Sequence, residues 1–292
     1  MSIGTKLKKL RTAKGMSQNE LADSIGVSRQ AITKWETDNG FPDVGNLKAL
    51  SKLFGVPINA IIFDDLNLYS STIQYDIDSD KDFDIEAVPA DSISVFGGDS
   101  EKIKIDMVSD NISTLDSDLK VAVEDRKHKM IIKMNRRNDL TESMCRSDLH
   151  IFIRLPRKYV GGIELKSDVN SLYLRNLDAE DIEFNGEAET VSLDDVHGQV
   201  EMDVRSDCMF IIHNLDGSLE INQIGKNSIV GVPADLKFRA VNAGRKCELI
   251  IDDGLISDDD CKDTIEINGM KNTLRIVVGE CDISTDQPSS SQ

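Results

Sequence analysis

No apolar run in this 292-residue chain approaches the roughly 20 residues that a membrane-spanning helix needs. The opening MSIGTKLKKLRTAKG is basic but has no apolar core or cleavage site behind it, so it does not read as a secretory signal. Both absences predict a cytoplasmic protein with no membrane partner. Cysteine is sparse: Cys145, Cys208, Cys247, Cys261 and Cys281 are an odd number, widely spread and without a C-x-x-C pair. Reduced thiols are expected rather than a disulfide framework or a zinc site. The four histidines, His128, His150, His197 and His213, lack the short spacings of ligand sets, so neither a metal nor another cofactor is expected. Positive charge is also scarce, with 34 Lys and Arg against 52 Asp and Glu, for a net charge of −18.

The scarce positive charge is concentrated at one end. Residues 1–63 hold nine Lys and Arg against five acids, a net of +4, which leaves −22 for the rest. A polyanion is attracted by the first segment and repelled by the second. With 292 residues and 39% hydrophobic content, the chain has material for two domains with real cores. The expected division is a first domain over 1–66, a linker over 67–81, a second domain over 82–285 and a disordered tail over 286–292.

The first domain reads as five helices. Ile3, Leu7 and Leu10 recur at helical spacing, and Gly15 follows as a stop. Ser17 and Glu20 have the spacing of a capping box, and Leu21, Ala22 and Ile25 form the inner face of the helix that follows. Gly26 permits a tight turn, Ser28 can cap a third helix, and Ile32 and Trp35 face inward along it. The lone tryptophan is thereby read as core. Asp43 is expected to cap a fourth helix carrying Leu47, Leu50, Leu53 and Phe54, with Gly55 ending it. A last short helix is expected near 58–62.

The stretch LRTAKGMSQNELADSIGVSRQAITKWETDNGFPDVGNLKALSKLFGV resembles the Cro/repressor-type helix-turn-helix family of bacterial and phage transcriptional regulators. On the third helix Arg29 and Thr33 lie one turn apart, as do Gln30 and Lys34, so the four share the side opposite Ile32 and Trp35. Arg can take guanine O6 and N7, Gln can bind adenine N6 and N7, and Thr can meet a base edge or a thymine methyl. Arg29, Gln30 and Thr33 are therefore the expected base readers on double-stranded DNA. The resemblance implies that Gln18, at the start of the second helix, contacts phosphate, and Ser28 and Lys34 join it as candidates. It also implies an ion pair between Arg11 and Glu36 that fixes the third helix against the first.

After Phe63 the period changes to two. FDIEAV, KIKIDMV, LKVAVED, MIIKM, HIFIRLP and VSLDDV alternate apolar and polar residues, as half-buried strands do. Segments starting at Leu172, Val191, Phe210 and Ile229 repeat with a step of about 19 residues. A strand-forming repeat of that length predicts an all-β domain built as a β-solenoid. The pattern resembles the putative-adhesin family of bacterial β-solenoid domains, with its turns drifted to Val196-His197-Gly198 and Leu215-Asp216-Gly217. That family implies no shared catalytic residues. Asp194, Asp195 and Asp216 are read as turn residues rather than a calcium ladder, and the linker has no Ala-Gly site for self-cleavage. The chain is expected not to be an enzyme. The expectation is a sequence-specific transcriptional regulator, working as a homodimer on a palindrome, whose β domain self-associates or receives an unidentified protein or small-molecule signal. The alternative is a DNA-tethered interaction scaffold without direct control of transcription, and reporter measurements separate the two.

Overall fold

In the computed structural model the described residues run from 3 to 278, except 15, 38, 41, 43, 55–60, 62–68, 138, 253, 254, 256–260 and 270. The chain forms two compact units, 1–68 and 69–292.

Four helices of the first unit are described: α1 (Ile3–Ala13), α2 (Gln18–Ile25), α3 (Arg29–Glu36) and α4 (Val44–Phe54). Local chemistry sets their ends. The Ser17 hydroxyl accepts from the Glu20 amide while the Glu20 carboxylate accepts from the Ser17 amide, which completes the capping box of α2. Gly26 closes α2 at φ 74°, a left-handed conformation that costs glycine little. Ser28 caps α3 by accepting from the Ala31 amide. Leu7, Leu21, Ala22, Ile32, Trp35, Leu47 and Leu50 make a buried core, with Leu10, Ile25, Leu53 and Phe54 packed at its margin. The expected cap Asp43, the stops Gly15 and Gly55, and most of the helix expected near 58–62 lie outside the described residues. Ile61, within that last stretch, is buried in the same core.

The second unit holds 17 described strands in two stacks that are parallel over most of their length. Three of its elements organise the rest: β3 (Ala90–Gly98), and the long bent strands β9 (Val169–Gly186) and β10 (Ala188–Val204). One stack passes from β3 through the first halves of β9 and β10 to β11 (Cys208–Ile212) and β13 (Asn227–Val232). The other passes from β2 (Lys81–Glu86) and β8 (Val160–Lys166) through the second halves of β9 and β10 to β12 (Leu215–Gln223). Identical positions therefore recur in line. Ile93, Leu172, Val191, Phe210 and Val230 form one inward row, and Ile85, Leu165, Phe184, Met202 and Ile221 another. All ten are buried, at 2% exposure or less. The repeat steps by 19 residues from Leu172 to Val191 to Phe210, then by 20, because Val230 rather than Ile229 pairs with Phe210.

The order departs from the chain at both ends. β16 (Thr264–Gly269) and β17 (Thr273–Val278) insert between β12 and β13 on one side and β14 (Arg239–Asn242) and β15 (Glu248–Ile251) on the other. At the opposite end, β7 (His150–Pro156) pairs with β3, then β4 (Lys102–Ser109) and β1 (Tyr69–Asp76) add antiparallel; β6 (Lys129–Arg136) pairs with β2 and carries β5 (Leu119–Asp125) antiparallel. Residues 69–76, read from the sequence as linker, are thus a strand in register with β4. Two short helices, α5 (Leu115–Asp118) and α6 (Glu142–Asp148), also interrupt a region read as strands alone.

Corners require glycine where chains approach. A Cβ on Gly217 would lie 2.1 Å from the Gly198 carbonyl oxygen, and one on Gly198 would lie 1.9 Å from that of Ala179. The two segments expected as turns of the repeat, 196–198 and 215–217, thus lie inside β10 and β12 and pair with each other in register. Beside them Asp195 accepts from Arg157 and Asn214, and Asp216 from Lys262, while Asp194 stands 3.9 Å from Arg175. Outward rows repeat as well. Asp84, Glu164, Glu183, Glu201, Glu220 and Glu266 stand in register on six successive strands, about 4.8 Å apart. Burial pushes the Glu183 and Glu201 carboxyls above their ordinary range, and the neighbouring carboxylates push in the same direction.

Candidate nucleic-acid interface

The first unit's α2, turn and α3 place a polar surface on a rigid base. Ile32 and Trp35 bury one side of α3, at 0% and 7% exposure, and this leaves Arg29, Gln30, Thr33 and Lys34 exposed on the other. Lys34 lies in the last turn of α3, where a cation suits the helix dipole. Ser28, also exposed, sits at the start of α3 with its hydroxyl engaged in the cap. The sequence-derived base readers and Lys34 therefore share one open face. Gln18 is only half-buried and approaches that face from α2.

A buried ion pair fixes α3 from behind. Arg11 Nε donates to Glu36 Oε1 at 2.5 Å and its terminal nitrogen to Oε2 at 3.0 Å, while the other terminal nitrogen donates to the Met16 carbonyl at 2.6 Å. Both residues are 8% exposed, so this fork ties α1, α3 and the connection between α1 and α2 together with nearly all its charge out of water. Burial alone would raise the Glu36 carboxyl, but the bonds from Arg11 and Gln18 outweigh it and hold the group below the ordinary carboxylate range. The guanidinium of Arg11 is correspondingly pushed up, mainly by its bond to Glu36.

Gln18 has a part in this network that the sequence reading missed. Its Nε2 donates to Glu36 Oε2 at 2.8 Å, and its Oε1 accepts from the Thr33 hydroxyl at 3.2 Å. Thr33 is also 3.0 Å from the Arg29 carbonyl, one turn back on α3. The amide thus links the buried pair to the exposed Thr33. No spacing rule reports it, because positions 18, 33 and 36 come together only after α2 packs across α3.

Residues 7–61 match the family model described as helix-turn-helix. The same part of the chain is similar to curated regulators. It is 44% identical over 62 residues to the HTH-type transcriptional activator BcrR of Enterococcus faecalis, covering 21% of this chain and 30% of that protein. It is 39% identical over 76 residues to the prophage-derived HTH-type transcriptional regulator YonR of Bacillus subtilis, covering 26% and 65%. A third likeness, 24% over 82 residues, is to the immunity repressor protein of Bacillus phage phi105, covering 28% and 57%. The chain spans less than two thirds of each of these relatives. Over 72% of its length it is also similar to solved structures described as a "putative cell adhesion protein" of Clostridium sporogenes (10% identity, TM-score 0.39, all of that chain) and a "putative adhesin" of Bacteroides fragilis (13%, 0.33, 97% of that chain). The N-terminal unit is thus a helix-turn-helix, and the resemblance of the β unit to adhesin domains stands as a likeness.

Proposed function

We propose that the chain is a sequence-specific DNA-binding transcriptional regulator that inserts α3 into the major groove of double-stranded DNA. The observation that carries this is the open face of Arg29, Gln30, Thr33 and Lys34 on a helix clamped from behind by Arg11 and Glu36. Arg29, Gln30 and Thr33 read base edges, and Lys34, Ser28 and Gln18 meet phosphates. The net +4 of residues 1–63 attracts the backbone, while the −22 beyond it keeps the β unit from lying along the duplex. One helix in one half-site gives limited affinity, so two copies on a palindrome about 34 Å apart form the working homodimer.

The β unit is a β-solenoid with rungs of about 19 residues, and its function is self-association or reception of a protein or small-molecule signal. It is not an enzyme, and the protein works in the cytoplasm. Selection from random duplexes by the full chain, followed by variants, tests the DNA reading. Arg29→Ala should cost about 1–3 kcal/mol on the best site and relax preference at particular base pairs, whereas Lys34→Ala should weaken all sequences alike. Equal losses of Arg29→Ala on selected and random DNA would place the groove-facing side elsewhere.

A further inference from the structure

We infer that Gln18 fixes the polarity of the Thr33 hydroxyl, so that Thr33 meets DNA as a hydrogen-bond acceptor and selects a base amino group: adenine N6 or cytosine N4. The inference rests on the proposed insertion of α3 into the major groove and adds to it which atom Thr33 reads.

The chemistry runs outward from the buried pair. An ionised Glu36 carboxylate has no proton to give, so the atom of Gln18 that lies 2.8 Å from it must be the amide nitrogen. That choice orients the rest of the amide. Its oxygen is then the atom directed at Thr33, 3.2 Å from the hydroxyl, and an amide oxygen can only accept. The second neighbour of the hydroxyl, the Arg29 carbonyl at 3.0 Å, can also only accept. A threonine hydroxyl carries one proton, and both protein neighbours compete for it. What remains on the exposed side of the oxygen is lone-pair density. In the major groove the groups that donate to it are the amino groups of adenine and cytosine; guanine O6, thymine O4 and the purine N7 atoms present lone pairs of their own.

Gln18 is therefore a positioning residue, acting on the bases through Thr33. The geometry leaves it free to serve phosphate too, because only one of its two Nε2 hydrogens goes to Glu36.

The test uses the full chain and a duplex chosen by selection from random sequence. Thr33→Val first identifies the base pair that the hydroxyl reads, since valine keeps the shape and the methyl contact but loses the oxygen. At that pair the exocyclic amino group is then deleted by a base analogue, and separately the partner carbonyl oxygen. Wild type should lose about tenfold in affinity on amino deletion and be indifferent to carbonyl deletion. Thr33→Val should be indifferent to both. Gln18→Ala, confirmed as folded by its thermal transition, removes one of the two acceptors and leaves the Arg29 carbonyl alone to hold the proton inward, so its amino-over-carbonyl discrimination should shrink several-fold without vanishing, with an unaltered salt slope. Loss on carbonyl deletion instead would overturn the inference, as would a Thr33→Val chain with wild-type preference or a Gln18→Ala chain that is merely weaker on every sequence. If wild type enriches no sequence at all, the DNA reading fails, and this one with it.

Discussion

In the helical unit two buried opposite charges, Arg11 and Glu36, form a pair joined by the Gln18 amide. In the β unit like charges stand in register on six strands from Asp84 to Glu266, and the same contact recurs rung after rung. The first arrangement specifies one placement of α3, because among the described residues one guanidinium, that of Arg11, bonds Glu36. The second specifies a spacing, and it tolerates electrostatic cost along the outside because the inner rows, all apolar, carry the stability. The proposed reading of individual bases calls for the first kind.

Four experiments would break or sharpen this contrast. Phe210→Ala removes a fully buried ring from the inner row between Val191 and Val230, and should cost the β unit about 3–5 kcal/mol. Calorimetry of the full chain should show that loss in one transition only; a matching fall in the helical transition would mean that the two cores are not independent. Glu36→Ala leaves the Arg11 guanidinium buried without its carboxylate and should cost the helical unit about 3 kcal/mol or more, with the β transition unmoved. A cost under about 1 kcal/mol would show that water or another group takes the place of Glu36. Ser17→Ala removes one half of the α2 capping box, for about 1 kcal/mol in the same transition.

The smallest effect is the pH response, and it has opposite signs for Glu36 and for the pair Glu183 and Glu201. Glu36 titrates below its ordinary range, so its stabilisation is complete above the unfolded value and is lost as pH falls through the folded one. Glu183 and Glu201 titrate above theirs, so the folded β unit holds protons that the unfolded chain has released. Their contribution falls as pH rises from the ordinary carboxylate range through the raised values. Asp216 and Glu124, held low by bonds to Lys262 and Arg126, act in the opposite sense within the same unit. Thermal melts of a Glu183→Gln, Glu201→Gln double variant isolate the pair: its β transition should decline less than wild type over that rise, and identical slopes would show that the ladder is fully screened.

The same contrast governs how much of the fold is legible in the sequence. Ser17, Glu20, Gly26 and Ser28 act within one turn of themselves, so their roles follow from spacing. Arg11 and Glu36 are 25 residues apart, and only the family resemblance brings them together; Gln18 and Thr33 have no such guide. In the β unit the 19-residue step is readable because parallel strands stacked in register demand apolar residues at equal intervals. β1 is not, because Ser71 takes an inward-alternating position between Tyr69 and Ile73 and breaks the apolar alternation. Nor is the placing of β16 and β17, since a rung has the same pattern wherever it stacks. The one-residue slip at Val230 is of the same kind, a length change that alternation absorbs.

That insertion has a consequence for synthesis. β14 and β15 leave the ribosome before β16 and β17, yet rest on them in the finished unit. While residues 264–278 are still in the exit tunnel, the open edges of β12 and β13 have only β14 and β15 to accept. Both pairs address the same partners: Arg239 and Ser218 each stand opposite Thr264, and Glu248 and Asn227 each stand opposite Thr273. A nascent chain that joined β12 and β13 to β14 and β15 would close one strand pair short, in register, and would have to reopen that closure to admit β16 and β17.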